Sequence, residues 1–409
     1  MKSRQTGPAS LTPLSQALEA LLADMPSPIG SETLPLASAL GRILARGQSA
    51  RASVPPWDNA AMDGYALCLS DLAQGRDLPI SQRIAAGQAA TPLQAGSCAR
   101  IFTGAPVPPG ADAVVMQENC RVEDGRVHVL QLPDAGENIR RAGDDVAADH
   151  QVLDAGHRLR PADIGLLAAC GHSHVPVRKR LRVALLVTGD ELKPPGSELA
   201  SGQIYNSNQY SLAALIHSLG MECLDGDVVP DDRLSTEQAL EQAAGQADCI
   251  VTSGGVSAGE EDHMRAAIES RGDLRLWKLA LKPGKPFAYG RLSDRPLFAL
   301  PGNPVSAFVT FLLLVRPCLL RMSGVADCLP HWMRLPAGFS RSVSGQREEY
   351  LRVQLQHGDE GTVLQPFSSQ SSGVLSSLSL SDGLAVIPPH TAVRPGDQLR
   401  FAAFSDIVS

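Results

Sequence analysis

Three groups of carboxylates and three lysines have types and spacings that could do chemistry. Asp190/Glu191, Asp231/Asp232 and Glu260-Glu261-Asp262 are each expected just beyond the end of an apolar run. In a wound α/β sheet such loops converge on one edge, however far apart they are in sequence. Clustered carboxylates suit Mg2+, which takes one or two of them and completes its shell with water and phosphate. Read one at a time, each group is an ordinary loop or helix-cap acid. Lys278, Lys282 and Lys285 fall within Trp277-Lys-Leu-Ala-Leu-Lys-Pro-Gly-Lys285. Lys278 and Lys282 are four apart on an expected strand, which places them on one face. Thr252-Ser-Gly-Gly255 offers backbone N–H groups as an anion cradle, although it fits neither the P-loop nor the G-x-G-x-x-G pattern. Together these residues describe a site for a phosphorylated ligand held partly through a divalent cation.

The elements that must position these groups follow from hydrophobic patterning. Val183–Val187 is a continuous apolar run of the kind buried on both faces of a parallel sheet. A loop, Thr188-Gly-Asp-Glu191, leads to a helix capped by Asn206 or Ser207 and ended by Gly220. A strand is expected to end at Asp227–Val229, before Pro230, and a helix follows over Ser235–Ala244. Cys249–Ser253 is the central strand, Asp262–Ser270 a helix stopped by Gly272, and Leu297–Leu300 a further strand. The chain then enters Pro301-Gly-Asn-Pro304, where Asn303 suits an N-cap and Pro304 the first helical position. This alternation predicts a doubly wound α/β domain over residues 179–326.

The flanks read differently. Residues 14–22 carry leucines at helical spacing, and 34–46 predict a second short helix. Residues 53–138 alternate short apolar runs with Gly/Pro turns, giving an inserted β domain with strands at Ala99–Thr103, Ala113–Gln117 and Arg126–Leu130. Within it, Asp63 precedes Gly64 and suits an Asx-type turn. Residues 140–178 return to a mixed segment in which Pro161–Cys170 predicts a helix, so the β domain is inserted between helical pieces. Residues 327–409 lose helical periodicity and predict a C-terminal β domain, with alternation at Tyr350–Leu355 and within 384–402.

Bulk properties exclude several classes. With 43 acidic against 36 basic residues and a net charge of −7, nucleic acid is not an expected partner. The apolar window Ala307–Val315 is expected to stop at Arg316-Pro317, short of the ~20 residues that span a bilayer, so no membrane span is expected. Eight cysteines without a C-x-x-C pair read as reduced core residues, which implies a cytoplasmic protein.

Assembled, these stretches resemble the molybdopterin molybdenumtransferase family, called MoeA in bacteria and the E domain of gephyrin in animals. The resemblance is carried by Trp57-Asp-Asn-Ala-Ala-Met-Asp-Gly-Tyr-Ala66, Thr103-Gly-Ala-Pro-Val-Pro108, Thr188-Gly-Asp-Glu-Leu192 and Gly202-Gln-Ile-Tyr-Asn-Ser-Asn208. It continues through Thr252-Ser-Gly-Gly-Val-Ser257, Gly259-Glu-Glu-Asp262, Trp277 to Pro286 and Leu300-Pro-Gly-Asn-Pro-Val-Ser306. Ala60 stands where the family usually has Ser, and Ser381-Asp-Gly383 replaces a more usual Ala-Asn-Gly.

The resemblance implies four domains in an elongated homodimer: an elongated helical linker domain over 1–52 plus 139–178, the β insertion, a molybdopterin-binding α/β domain and a C-terminal β barrel. It implies Mg2+-dependent insertion of molybdenum from molybdate into adenylylated molybdopterin, with release of AMP. Asp63 and Thr103 match loops that reach the partner's site, and Asp145 matches more loosely. Glu191, Asp231 and Asp262 match acids of the pterin site and the metal-binding set, and Lys278 and Lys282 its cationic strand. Thr188, Gly189, Asp190, Ser253, Gly254, Gly255 and Lys285 are expected around the cofactor. Pro301, Asn303 and Pro304 are expected to shape the loop, with Arg347, Arg352 and Ser372 contributed by the last domain. A molybdopterin adenylyltransferase and molybdoenzyme-specific chaperones are the implied partners. The rival readings are an adenylyltransferase acting one step earlier and a non-catalytic scaffold dimer.

Overall fold

The computed structural model describes residues 11–226, 228–254, 263–359 and 361–408. The chain forms two compact units, Thr33–Val177 and the pair of segments Met1–Glu32 and Arg178–Ser409. Helix α1 (Leu14–Asp24) opens the second of these units, burying Ala17 and Leu21, one turn apart.

The Thr33–Val177 unit is built on a six-stranded sheet. Its strands are β1 (Gly64–Leu67), β2 (Asp77–Ile84), β3 (Cys98–Ile101), β4 (Ala113–Met116), β5 (Cys120–Glu123) and β6 (Arg126–Val129), ordered β4-β1-β3-β2-β6-β5. The three strands expected from sequence are β3, β4 and β6. Helix α2 (Pro161–Ala169) starts at its proline, as expected. The helix expected over 34–46 does not form. Only Leu36–Ser38 make a 3-10 turn, because the backbone is claimed by long-range partners. Leu36 N–H donates to Ser173 O (2.9 Å), Gly41 N–H to Leu159 O (2.8 Å) and Leu44 N–H to His157 O (2.9 Å).

The other unit holds the α/β sheet. Its strands are β7 (Arg182–Val187), β10 (Glu222–Asp225), β11 (Cys249–Ser253), β12 (Gly272–Lys278), β14 (Pro286–Leu292) and β15 (Arg295–Leu300). Two short strands, β8 (Leu192–Lys193) and β9 (Ile204–Tyr205), pair with each other outside it. The order is β10-β7-β11-β15-β14-β12. The first four strands are parallel, with Val183 opposite Cys249 and Ile250 opposite Leu297, and β14 and β12 continue antiparallel.

Alternate residues face opposite layers, so the sheet is doubly wound. Val183, Leu185, Val251 and Phe298 pack with α1 and α3 (Ser207–Ser218). Ala184, Ile250, Leu297 and Ala299 pack with α4 (Arg233–Gln246) and α5 (His263–Arg271).

Four local expectations are corrected. The strand expected to end at 227–229 stops at Asp225. Val229 keeps a single bridge to Thr188, and Asp227 lies outside the described residues.

The cationic segment is not one strand. Lys278 ends β12 in the α/β sheet, whereas Lys282 lies in β13 (Leu281–Lys282), which pairs with a different sheet. The break has a cause in the backbone. Ala280 N–H donates to Thr12 O, and Lys278 O accepts from Thr12 N–H, so the N-terminal segment takes the edge that a sheet partner would need.

The apolar helix runs through Pro317. Helices α6 (Pro304–Thr310) and α7 (Arg316–Met322) are joined by a widened turn, Phe311–Val315. Proline lacks an N–H and its ring crowds the preceding turn, and a π-type turn accommodates both. The 19-residue helix is long and apolar enough to cross a bilayer, but 89% of its most apolar window is buried inside the protein. Finally, Asn303 holds the N-cap position by its backbone, yet its side chain makes no capping hydrogen bond.

The C-terminal strands are β16 (Met333–Pro336), β17 (Glu348–Gly358), β18 (Gly361–Pro366), β19 (Gly383–Ile387) and β20 (Gln398–Ala403). They run β13-β17-β19-β20-β16, and β18 pairs with the far half of β17. A bridge from Ala337, just past β16, to Leu364 on β18 closes the sheet into a barrel.

Candidate functional site

A cavity of about 720 Å³ opens where β7 and β11 end at their carboxyl edge. Its walls come from the Thr188–Glu191 loop, the β9–α3 junction, Asp231, the end of β11 and the Pro301–Pro304 loop. Close backbone approach fixes these walls. Gly254 has φ +94°, and a Cβ there would lie 2.8 Å from Thr188 O and 2.9 Å from Thr188 Oγ1. Gly189 has φ +148°, a conformation that favours glycine, and the movable Glu191 carboxylate lies over it. At position 254 only glycine lets the two strand-end loops pack this tightly.

Asn208, in the first turn of α3, joins three of the walls. Its Nδ2 donates to Ser253 Oγ (2.9 Å) and to Gly302 O (2.7 Å), and the side chain is buried. Asn206 caps the same helix by accepting from Gln209 N–H at 3.1 Å. Asp190 Oδ1 accepts from Asp231 N–H at 3.2 Å, which draws the first two acidic loops together.

Of the residues singled out from sequence, Thr188, Gly189, Glu191, Asp231, Ser253, Gly254, Pro301, Asn303 and Pro304 all line this cavity. Asp190 faces a smaller neighbouring cavity. Gly255 and Asp262 lie outside the described residues. Ser372 contributes its carbonyl, which accepts from Val305 N–H at 3.1 Å, and the adjacent Gly373 lines the cavity.

The cationic residues are not among the lining residues. Lys278 and Lys285 are exposed. Lys282 Nζ is 3.0 Å from the buried Glu349, which Arg341 also binds at 2.6 Å. Burial works to raise the Glu349 carboxyl, but the two cations and their hydrogen bonds outweigh it and hold it below its ordinary range.

Arg347 donates to Leu281 O at 3.3 Å. Arg352 is 1% exposed, and burial lowers its guanidinium to about 10. It donates to Ser377 Oγ (3.0 Å), Ser371 O (3.1 Å) and Ser369 O (3.4 Å), and so holds the loop that carries Ser372 and Gly373.

Asp63, Thr103 and Asp145 belong to the Thr33–Val177 unit. There Thr103 donates both its N–H (2.8 Å) and its hydroxyl (2.7 Å) to Asp63 Oδ1, which keeps the Asp63 carboxyl below its usual value. The pairing goes beyond the local turn expected for Asp63. Asp145 is exposed, and its N–H donates to Val54 O at 3.0 Å.

The chain matches three family models in order. They are the MoeA N-terminal region (domain I and II) over residues 12–171, the “Probable molybdopterin binding domain” over 184–321, and the MoeA C-terminal region (domain IV) over 334–404. The molybdopterin molybdenumtransferase of Haemophilus influenzae is 37% identical, over 97% of this chain and 99% of that protein. The chain belongs to the MoeA family. Molybdopterin molybdenumtransferase 2 of Mycobacterium tuberculosis is 38% identical over 90% of this chain and 94% of its own. The crystal structure of the molybdopterin biosynthesis MoeA protein from Pyrococcus horikoshii OT3 superposes with a TM-score of 0.84 at 29% identity. It covers 96% of this chain and 100% of that one, so the MoeA architecture extends over nearly the whole molecule.

Sequence reasoning did not single out Asn208, Ile204, Tyr205 or Gly302 as site residues. The Gly202–Asn208 stretch was the available signal for the first three, since it carries part of the family resemblance.

Proposed function

We propose that this chain is a transferase of molybdenum cofactor biosynthesis that inserts molybdenum from molybdate into adenylylated molybdopterin and releases AMP. The observation that carries this reading is the cavity at the carboxyl edge of the parallel strands, where Glu191 and Asp231 share walls with the Gly254 turn and the Pro301–Pro304 loop. A phosphoanhydride needs positioning and charge neutralisation more than covalent catalysis. The turns at Gly189 and Gly254 put side-chain-free backbone on the cavity wall, where it could approach phosphate closely. Asn208 keeps the three walls in register, which favours a single bound geometry.

The donor set fits Mg2+. Glu191 and Asp231 both line the cavity and offer hard oxygen donors, and an ion of this kind takes one or two carboxylates plus phosphate and water. Bound there, Mg2+ would neutralise phosphate charge, with Asp262 the third acid expected from sequence. The family and the sequence together support a homodimer in the cytoplasm, with the Asp63–Thr103 loop serving the partner's site. An adenylyltransferase that supplies the substrate and chaperones that take the product are the partners this chemistry calls for.

The test is AMP release from adenylylated molybdopterin by the purified protein, with molybdate and Mg2+ added or omitted in turn. Release that requires both ions supports insertion. Binding of the pterin without any release would contradict it.

A further inference from the structure

Lys282 does not line the cavity, yet the turn that follows it leads to the cavity wall. Pro286 lines the cavity, and so does Ser306 on α6. Gly284, between Lys282 and Pro286, has φ +111° and lies against α6, where an added Cβ would collide with Thr310 Oγ1. The turn after β13 is therefore packed on the helix that starts at the cavity, and Lys282 stands at its base.

What orients Lys282 comes from the barrel. β13 pairs in parallel with the start of β17, which sets Lys282 opposite Glu349. Glu348 N–H donates to Ala280 O (2.9 Å) and Arg347 to Leu281 O (3.3 Å), so the register is pinned on both sides of the pair. Alternate side chains of a strand face opposite ways. Glu348 accepts from Tyr350 Oη (2.9 Å) and Arg400, whereas Glu349 accepts from Lys282 Nζ (3.0 Å) and Arg341 (2.6 Å).

The two ends of the Lys282–Glu349 pair differ. The Glu349 side chain is 5% exposed and that of Lys282 is 45% exposed. A buried carboxylate must be paired, and Arg341 already supplies that partner. Lys282 is thus a second cation on a carboxylate that has one. An ammonium carries three donors, and the bond to Glu349 uses one of them. A lysine tethered at its head and half exposed has spent the rotamer freedom of its long stem in folding.

We propose that Glu349 is a positioning residue for the insertion reaction, fixing the Lys282 ammonium where it meets an anionic oxygen of the phosphorylated substrate. A charged donor oriented in advance spares the entropy of ordering it when the substrate binds and reacts. This rests on the proposed insertase reading and on the place of Lys282 in it, and it adds a carboxylate that acts only through the lysine.

The test is a double-mutant cycle on AMP release by the full-length protein, supplied with adenylylated molybdopterin, molybdate and Mg2+. The four proteins are the wild type, Lys282→Ala, Glu349→Gln and the two changes combined. Glu349→Gln should lower kcat/KM by about tenfold, within the range of one long side chain's rotamer freedom. It should have no further effect once Lys282 is gone, so the double variant should match Lys282→Ala. Urea midpoints of all four choose an assay temperature at which each is folded. Should Glu349→Gln not fold, Glu349→Asp keeps the charge and shortens the reach by one methylene, and the same cycle with it has the same expected result.

Glu349→Gln as active as the wild type would overturn the positioning role, and so would Lys282→Ala as active as the wild type. A double variant that falls below Lys282→Ala by the full factor of Glu349→Gln would overturn it too, because that loss does not pass through Lys282. Each of these outcomes leaves wild-type turnover, and with it the insertase reading, intact. No release by the wild type would instead remove that reading and this proposal with it.

Discussion

Asn208 donates one side-chain N–H to Ser253 Oγ at 2.9 Å and another to Gly302 O at 2.7 Å, from a buried position. This amide fastens the first turn of α3 to the end of β11 and to the Pro301–Pro304 loop, so one side chain ties three of the cavity's walls together. Asn208→Ala should destabilise the protein by about 1–3 kcal/mol, the cost of leaving buried partners unsatisfied, and should lower kcat/KM. Asn208→Asp, which sets a carboxylate oxygen against the Gly302 carbonyl, should be worse than Ala. Urea denaturation together with steady-state kinetics checks the order.

Gly254 occupies a left-handed conformation with no room for a methyl group. Gly254→Ala should therefore cost about 1–2 kcal/mol for the backbone conformation alone, with the contact to Thr188 added. The readout is the urea midpoint, and a variant as stable as wild type would contradict the tight-turn account.

Glu349 gives a pH prediction. Its carboxyl is held below the ordinary value by Lys282 and Arg341 against the opposing effect of burial. A group with a depressed folded-state value contributes stability above its unfolded value and loses that contribution as pH falls through the folded one. The wild type should thus lose stability on acidification below about pH 4.5, and Glu349→Gln should show a shallower loss over the same range. At neutral pH Glu349→Gln should cost about 1.5–3 kcal/mol, as expected for hydrogen bonds to charged groups. Melting curves from pH 7 down to pH 3 would show both effects.

Glu191→Gln and Asp231→Asn remove charge from exposed side chains on the cavity wall. Each should leave the melting temperature nearly unchanged while lowering turnover and raising the Mg2+ concentration needed for half-maximal activity. Unchanged Mg2+ dependence in both variants would remove these acids from the metal set.

Much of the fold was legible because local and global signals agreed. The apolar run at Val183–Val187, the cap expected at Asn206 or Ser207 and found at Asn206, and the proline at the start of α2 each named their element correctly. What failed depended on distant partners. Lys278 and Lys282 read as one strand, but the backbone of Thr12 takes the edge between them. Residues 34–46 have helical spacing, yet Ser173, His157 and Leu159 claim their N–H groups. The same limit hid Asn208. In sequence it is one more polar residue near a helix start, and its role appears only when Ser253 and Gly302 are folded beside it. The cavity-lining acids and glycines were readable because strand-end loops converge in any wound sheet.

The most direct measurement is AMP release from adenylylated molybdopterin by the wild-type protein, with molybdate and Mg2+ present together or singly. The account predicts release only when both ions are present, and its loss in Glu191→Gln. Release that proceeds equally without molybdate, or none at all with pterin bound, would contradict the insertase.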